Sequence, residues 1–145
     1  MNHSFLPANR FISMIYRYTR RYFARELTAY QLDAGQLPFL LQLYRSPGIT
    51  QEQLSCALGM DKGTTARSVA QLEECGLAYR TPDENDRRIN HVFPTQAALV
   101  HEDELFAIID RLHELLFEGF TAEERAQALT LIIHMKDNIE REFTE

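Results

Sequence analysis

From Asn9 to Tyr30 the apolar side chains Phe11, Ile12, Ile15, Tyr16, Tyr18, Tyr22, Phe23 and Leu27 recur at helical spacing, with Arg10, Arg17, Arg20, Arg21 and Arg25 between them. That pattern predicts a long amphipathic helix. Its aromatic stripe is broader than one small neighbour covers, which points to another chain as partner. Asp33 and Gln36 have the spacing of a capping box and open a second helix carrying Leu37, Phe39, Leu40, Leu43 and Tyr44. Pro38 sits early in it, and Ser46-Pro47-Gly48 ends it. Thr50 and Gln53 repeat the capping signature before a short third helix with Leu54 and Leu58 inward, which Gly59 stops. Asp61 caps a fourth helix, Lys62 to Cys75, with Thr65, Val69 and Leu72 inward and Gly76 as its C-cap.

The period then changes. Leu77 to Thr81 reads as a strand, Pro82-Asp83-Glu84-Asn85-Asp86 as a turn, and Ile89, His91 and Phe93 alternate with Asn90 and Val92 as a return strand. Arg87 and Arg88 lie at the rim of this hairpin. A long helix follows from Gln96 to Glu118 with Leu99, Leu105, Ile108, Ile109, Leu112, Leu115 and Leu116. A third capping box, Thr121 and Glu124, opens the last helix, which bears Leu129, Ile132, Ile133, Ile139 and Phe143. The fold class is therefore α+β and mostly helical. Helix, tight turn, second helix and two-stranded hairpin between Thr50 and Thr95 make a winged helix-turn-helix. Gly59 lets the chain reverse, and Leu54, Leu58, Met60, Val69 and Leu72 hold its two helices at a fixed angle.

The 145-residue length suits one compact domain or two small sub-domains on a shared core. No apolar run is long enough for a bilayer, and Met1 to Leu6 lacks the basic start and apolar core of an export signal. These point to the cytosol, with no membrane partner and with Cys56 and Cys75 as thiols. The net charge of −6 argues against a nucleic-acid binder until it is located. Residues 1–101 hold 11 basic and 9 acidic side chains, whereas residues 102–145 hold 4 and 12. The winged module, residues 49–95, still carries 5 cations against 7 acids. Any DNA affinity must then rest on a few placed cations rather than on a basic surface.

The second helix of the module supplies such a face. Lys62, Gly63, Thr64, Ala66, Arg67 and Gln71 point outward, a mixture of hydrogen bonders and small residues suited to a major groove. The free amides at its N-terminus can also take a phosphate. At this point the chain closely resembles the MarR family of transcriptional regulators. The resemblance rests on Gln36-Leu37-Pro38-Phe39, Pro47-Gly48-Ile49-Thr50-Gln51, Leu58-Gly59-Met60-Asp61-Lys62, Leu72-Glu73-Glu74-Cys75-Gly76-Leu77 and the wing Asp86-Arg87-Arg88, in that order and spacing. It implies a homodimer formed by the first and last helices, so that residues 1–32 and 96–145 make a helical dimerisation region around a DNA-binding region at residues 33–95. It implies two lobes reading a pseudo-palindromic double-stranded operator. It also implies that Arg88 enters the minor groove, Asp86 orients it, and Arg87 lies near phosphate. Three positions depart from the pattern: Thr65 and Ser68 replace larger apolar residues, and Ser55 replaces an alanine. No glycine precedes the helix after the wing.

Family members often carry a small-molecule pocket, and the resemblance makes Arg17, Tyr18, Arg21 and Tyr44 the candidates for its aromatic walls and cationic anchor, suited to an anionic phenolic effector. An ordinary amphipathic stripe of packed tyrosines and solvated arginines accounts for the same residues. The function implied is a sequence-specific regulator, most simply a repressor released by such a ligand. Two alternatives stay open: a winged module that binds only protein, and a regulator that senses through Cys56, Cys75 or a metal. Cys75 ends a helix beside Glu73 and Glu74, where the dipole disfavours a thiolate. His101 and Glu104 share a helix face, but the histidines form no HxxxH pair, so neither a metal site nor a cofactor is expected. His91 reads as a packed strand residue. No phosphate loop or nucleophile elbow appears, so an enzyme is not expected.

Overall fold

A computed structural model of the chain describes residues 7–144; the segment Met1 to Leu6, read above for an export signal, lies outside them. The first helix, α1 (Ala8–Glu26), ends a turn earlier than its pattern predicts. Thr28 Oγ1 bonds back to the Ala24 carbonyl, and a short 3-10 turn at Thr28–Tyr30 leads into Gln31, whose φ of 53° is left-handed. The second helix, α2 (Leu37–Arg45), starts at Leu37 rather than at Asp33. Half of the expected capping box survives, with Gln36 Oε1 accepting from the Asp33 amide, while the Asp33 carboxylate turns instead to Gly35 N.

A two-residue strand absent from the sequence pattern, β1 (Ile49–Thr50), precedes α3 (Gln51–Leu58). Both halves of the Thr50–Gln53 capping box are present, and Gly59 closes α3 at a φ of 60°. Then come α4 (Lys62–Glu74), β2 (Ala78–Pro82) and β3 (Asn90–Pro94). The strands form one antiparallel sheet in the order β1-β3-β2, with Ile49 opposite Val92 and Arg80 opposite Val92 on the other side. On β3 it is Val92 and Pro94 that are buried, whereas Ile89 is exposed. The predicted helix from Gln96 is divided: α5 (Gln96–Leu99) ends in a turn closed by His101 N to Ala98 O, and α6 (Glu102–Leu116) follows. Thr95 does the work of the missing glycine, since its Oγ1 accepts from Ala98 N and donates to the Gly76 carbonyl. The last helix, α7 (Ala122–Glu140), opens with the expected Thr121–Glu124 box.

The residues pack as two compact units that divide between Ile109 and Asp110. In the first, Leu27, Phe39, Leu40, Leu43, Leu54, Val69, Leu72, Val92 and Leu105 are almost wholly buried in one core. Met60, expected at the contact of α3 and α4, is exposed. No residue of α1 is buried, and Phe11, Ile12, Ile15, Tyr16 and Tyr18 face outward. In the second unit Phe117 packs edge-on against Phe120 beneath Arg125, which also pairs with Glu114 at 3.1 Å. Along α7, Leu129, Leu131, Ile132, Ile133, Met135 and Ile139 are all exposed. Among the described residues no helix is long and apolar enough to cross a membrane.

Candidate nucleic-acid interface

The recognition face is set by what α4 buries. Thr65, Ser68, Val69 and Leu72 turn inward, which leaves Lys62, Gly63, Arg67 and Gln71 exposed, with Thr64 and Ala66 half-buried beside them. Two of the departures from the family pattern meet in this contact. Ser55 Oγ on α3 donates to Thr65 Oγ1 at 2.8 Å, and Thr65 Oγ1 donates onward to the Asp61 carbonyl at 2.9 Å. The crossing of the two helices is therefore fixed by a buried polar relay as well as by Leu54 and Val69. Nothing in the sequence pairs residues ten apart, and of the two only Thr65 was expected to face inward.

The start of α4 is also tightly tied. Asp61 accepts from Thr64 N at 2.7 Å and from Thr64 Oγ1 at 2.6 Å, and these hydrogen bonds hold its carboxyl below the usual range. Arg67 Nη2 donates to Thr64 Oγ1, and Lys62 stands 3.4 Å from Glu52. Gln71 is less available than a bare surface residue, because its Oε1 accepts from Gln36 Nε2 at 3.0 Å. At the other end of α4, Glu73 receives a two-pronged pair from Arg80 on β2, at 2.9 and 2.8 Å. That strut joins α4 to β2, and sequence reasoning counted Arg80 only as a charge.

The wing is built from the turn inward. Asp83 Oδ1 accepts from the amides of Asn85 and Asp86, and its Oδ2 receives His91 Nε2 at 2.8 Å. Those bonds hold Asp83 down at about 2, the one from His91 contributing most. Asp86 in turn grips Arg88: Oδ1 accepts from Nε at 3.0 Å and from the backbone amide, Oδ2 from Nη2 at 2.9 Å. The Arg88 side chain is nonetheless 90% exposed, so its guanidinium is aimed by Asp86 while remaining open to a partner. Arg87 beside it is exposed too. A cleft of about 290 Å³ brings Lys62, at the start of α4, to the same concavity as Arg88 and Asn90, with Thr50, Gln51 and Ser55 as its floor.

The four candidate pocket residues are placed differently. Arg21 lies over the Tyr18 ring at 5.8 Å, and Arg17, Tyr18 and Arg21 are exposed on α1. Tyr44 is instead a core residue: its hydroxyl donates to the Ala98 carbonyl at 2.6 Å and its ring packs on Phe106, and burial pushes its ionisation far above the ordinary range. No described contact joins it to the α1 residues. An apolar cavity of about 250 Å³ in the first unit is lined in part by Phe23, Leu37, Leu41, Arg45, Leu58 and Ile109. Cys56 and Cys75 are free and exposed. Among the described residues no group of three His, Cys, Asp or Glu side chains stands together as metal ligands would.

Comparison with known proteins adds four findings. The profile of the MarR family matches residues 30–89. YybA of Bacillus subtilis (strain 168), an uncharacterized HTH-type transcriptional regulator, is 33% identical over 112 residues, covering 77% of this chain and 75% of its own. Among solved structures, a MarR transcriptional regulator from Methanosarcina mazei Go1 superposes with a TM-score of 0.83 at 37% identity, over 92% of this chain and 96% of that one. A cysteine-to-serine mutant of MarR from E. coli complexed with operator DNA superposes with a TM-score of 0.80 at 25% identity, over 90% and 94%.

Proposed function

The chain belongs to the MarR family and is a DNA-binding transcriptional regulator; from that premise we propose that it works in the cytoplasm as a homodimeric repressor whose two lobes read a pseudo-palindromic operator. The observation that carries the reading is Arg88, forked onto Asp86 at the tip of the wing and almost fully exposed. An arginine so aimed gains from the enhanced negative potential of a narrow minor groove. The outward positions of α4, Lys62, Gly63, Thr64, Ala66, Arg67 and Gln71, then face the adjacent major groove, and Arg87 meets phosphate. Half-sites about one helical turn apart, roughly 34–36 Å, match two such lobes.

Residues 1–32 and 96–145 serve dimerisation and residues 33–95 serve DNA. This division of roles is supported by the exposed apolar faces of α1 and of α7, each of which needs a cover in water. Release by an anionic, phenolic effector fits a population shift, the effector preferring a lobe spacing that DNA does not accept. The cavity beneath Arg45 supports it, with apolar walls and one cation, more directly than Arg17, Tyr18, Arg21 and Tyr44 do.

The test is a gel shift against the chain's own upstream intergenic region, wild type beside Arg88→Ala. Loss of a positioned arginine contact is expected to weaken binding by about 1–3 kcal/mol, roughly 5- to 150-fold. An Arg88→Ala protein that binds as tightly as its parent would remove the wing from the interface.

A further inference from the structure

The wing arginine is held by a chain of contacts that ends on a histidine. Arg88 is gripped by Asp86, and the Asp86 amide is held by Asp83. The Asp83 carboxylate bonds His91 Nε2 at 2.8 Å, and His91 Nδ1 meets the Gly48 carbonyl, also at 2.8 Å. Both partners of the ring are acceptors only. A carboxylate and a carbonyl together demand two N–H donors, and a neutral imidazole has one. Gly48 has little freedom to move its carbonyl away: its φ is +84°, its amide donates to the Val92 carbonyl, and a Cβ there would meet the Phe93 ring at 2.9 Å. Asp83 is the charged group that acts on His91, and Asp86 in turn feels the Asp83 charge. Across the ladder His91 faces Thr81 on β2 and Thr50 on β1, and the turn contributes Asp83, while Asp86 is engaged by Arg88.

We infer that His91 is a positioning residue for DNA binding, which as an imidazolium clamps Asp83 between turn and sheet and so fixes the wing that presents Arg88. The inference rests on the reading of Arg88 as a DNA contact. The two bonds raise the titration of His91 above its ordinary value, Asp83 contributing most. With the folded value raised, the clamp is complete below about pH 6.5, the unfolded value, and is lost as pH rises through the folded one. Above it the ring must turn a lone pair toward either Asp83 or Gly48.

The experiment has two arms on the full chain. In the free protein, side-chain ¹⁵N shifts of His91 are followed against pH. Both nitrogens are expected to be protonated at about pH 6, and the titration is expected to lie above the ordinary histidine value. In the second arm, affinity for a duplex from the upstream intergenic region is measured across the same range for wild type, Asp83→Asn and Arg88→Ala. Wild-type affinity is expected to fall several-fold as pH rises through the titration of His91. Asp83→Asn reverses the requirement, since its amide oxygen still accepts from the turn while its NH₂ donates to a neutral ring; its affinity is expected to rise with pH instead. A wild-type protein with no pH dependence, or an Asp83→Asn protein that follows the wild-type profile, overturns the inference. If Arg88→Ala binds like its parent at every pH, the DNA-contact reading falls, and with it the coupling. The ¹⁵N arm then judges the clamp alone, and a neutral ring at about pH 6 overturns that as well.

Discussion

Ser55 and Thr65 form a buried pair, which single and double substitution can separate from simple packing. Thr65 is wholly buried and Ser55 nearly so. Thr65→Val keeps the shape of the side chain but removes both of its hydroxyl bonds, so the Ser55 hydroxyl loses its acceptor. The Asp61 carbonyl keeps the Thr65 amide at 3.0 Å, so the cost falls mainly on Ser55. A buried donor left without a partner costs about 1–3 kcal/mol. Ser55→Ala is milder, because Thr65 still donates to Asp61, and about 1 kcal/mol is expected. The double variant places a methyl group against a methyl group with no polar atom stranded, and replacing both partners of such a bond is close to neutral. The double variant should therefore be less destabilised than the sum of the singles by about 2–4 kcal/mol. Equilibrium unfolding in urea followed by circular dichroism measures this, at one protein concentration because any dimer couples to unfolding. Losses that add to within about 0.5 kcal/mol would show that the two hydroxyls are independent and that the relay does not hold α3 on α4.

Two further outcomes follow from other parts of the molecule. Gly48→Ala forces a side chain into left-handed backbone, about 1–2 kcal/mol, and drives its methyl against the Phe93 ring. The expected result is a lower urea midpoint with an unchanged slope, and an unchanged midpoint would refute it. Ile132→Glu on the exposed apolar face of α7 is expected to yield a monomer by sedimentation at concentrations where the parent is a dimer. A variant that stays dimeric would move the interface away from that face.

The parts of this fold that the sequence makes legible are those with local rules. The capping boxes at Thr50 and Thr121 form as written, as do the left-handed stop at Gly59 and the cap at Asp61, because each joins residues three or four apart. Where the outcome depends on distant partners, local reading runs short. β1 exists only because β3 arrives to pair with Ile49 and Thr50. The alternation around His91 placed its strand in the sheet but not its phase, which Val92 decides by filling the core between β1 and β2. Tyr44 looked like a pocket wall because an aromatic on a helix carries no sign of which carbonyl its hydroxyl will find; Ala98 is 54 positions away. At the interface, Asp86 and Arg88 were readable as neighbours in sequence. The members that steady them, Asp83 with His91 and Glu73 with Arg80, were not, since both pairs close across a turn.

The same pairings explain how a module with more acids than cations can serve DNA. Arg88 is bound to Asp86, Lys62 lies against Glu52 and Arg80 is spent on Glu73, so three of its five cations are matched by acids in the free protein. A phosphate reaching Arg80 must displace Glu73, whereas Lys62 is left mostly open beside Glu52. Non-specific attraction, which depends on the number of phosphates neutralised, is thereby held low. Arg88 is the cation that is both forked onto its acid and uncovered, whereas Lys62 is uncovered but not forked and Arg80 is forked but largely covered, so on the proposed reading a groove of the right width gains the Arg88 contact without breaking the fork. On the proposed reading, specificity comes from suppressing the general attraction and leaving a few cations aimed. A shallow salt dependence of specific binding, with a slope set by few phosphate contacts, is the expected signature. A steep slope of the kind shown by broadly basic binders would mean that surfaces beyond the wing and α4 carry the affinity.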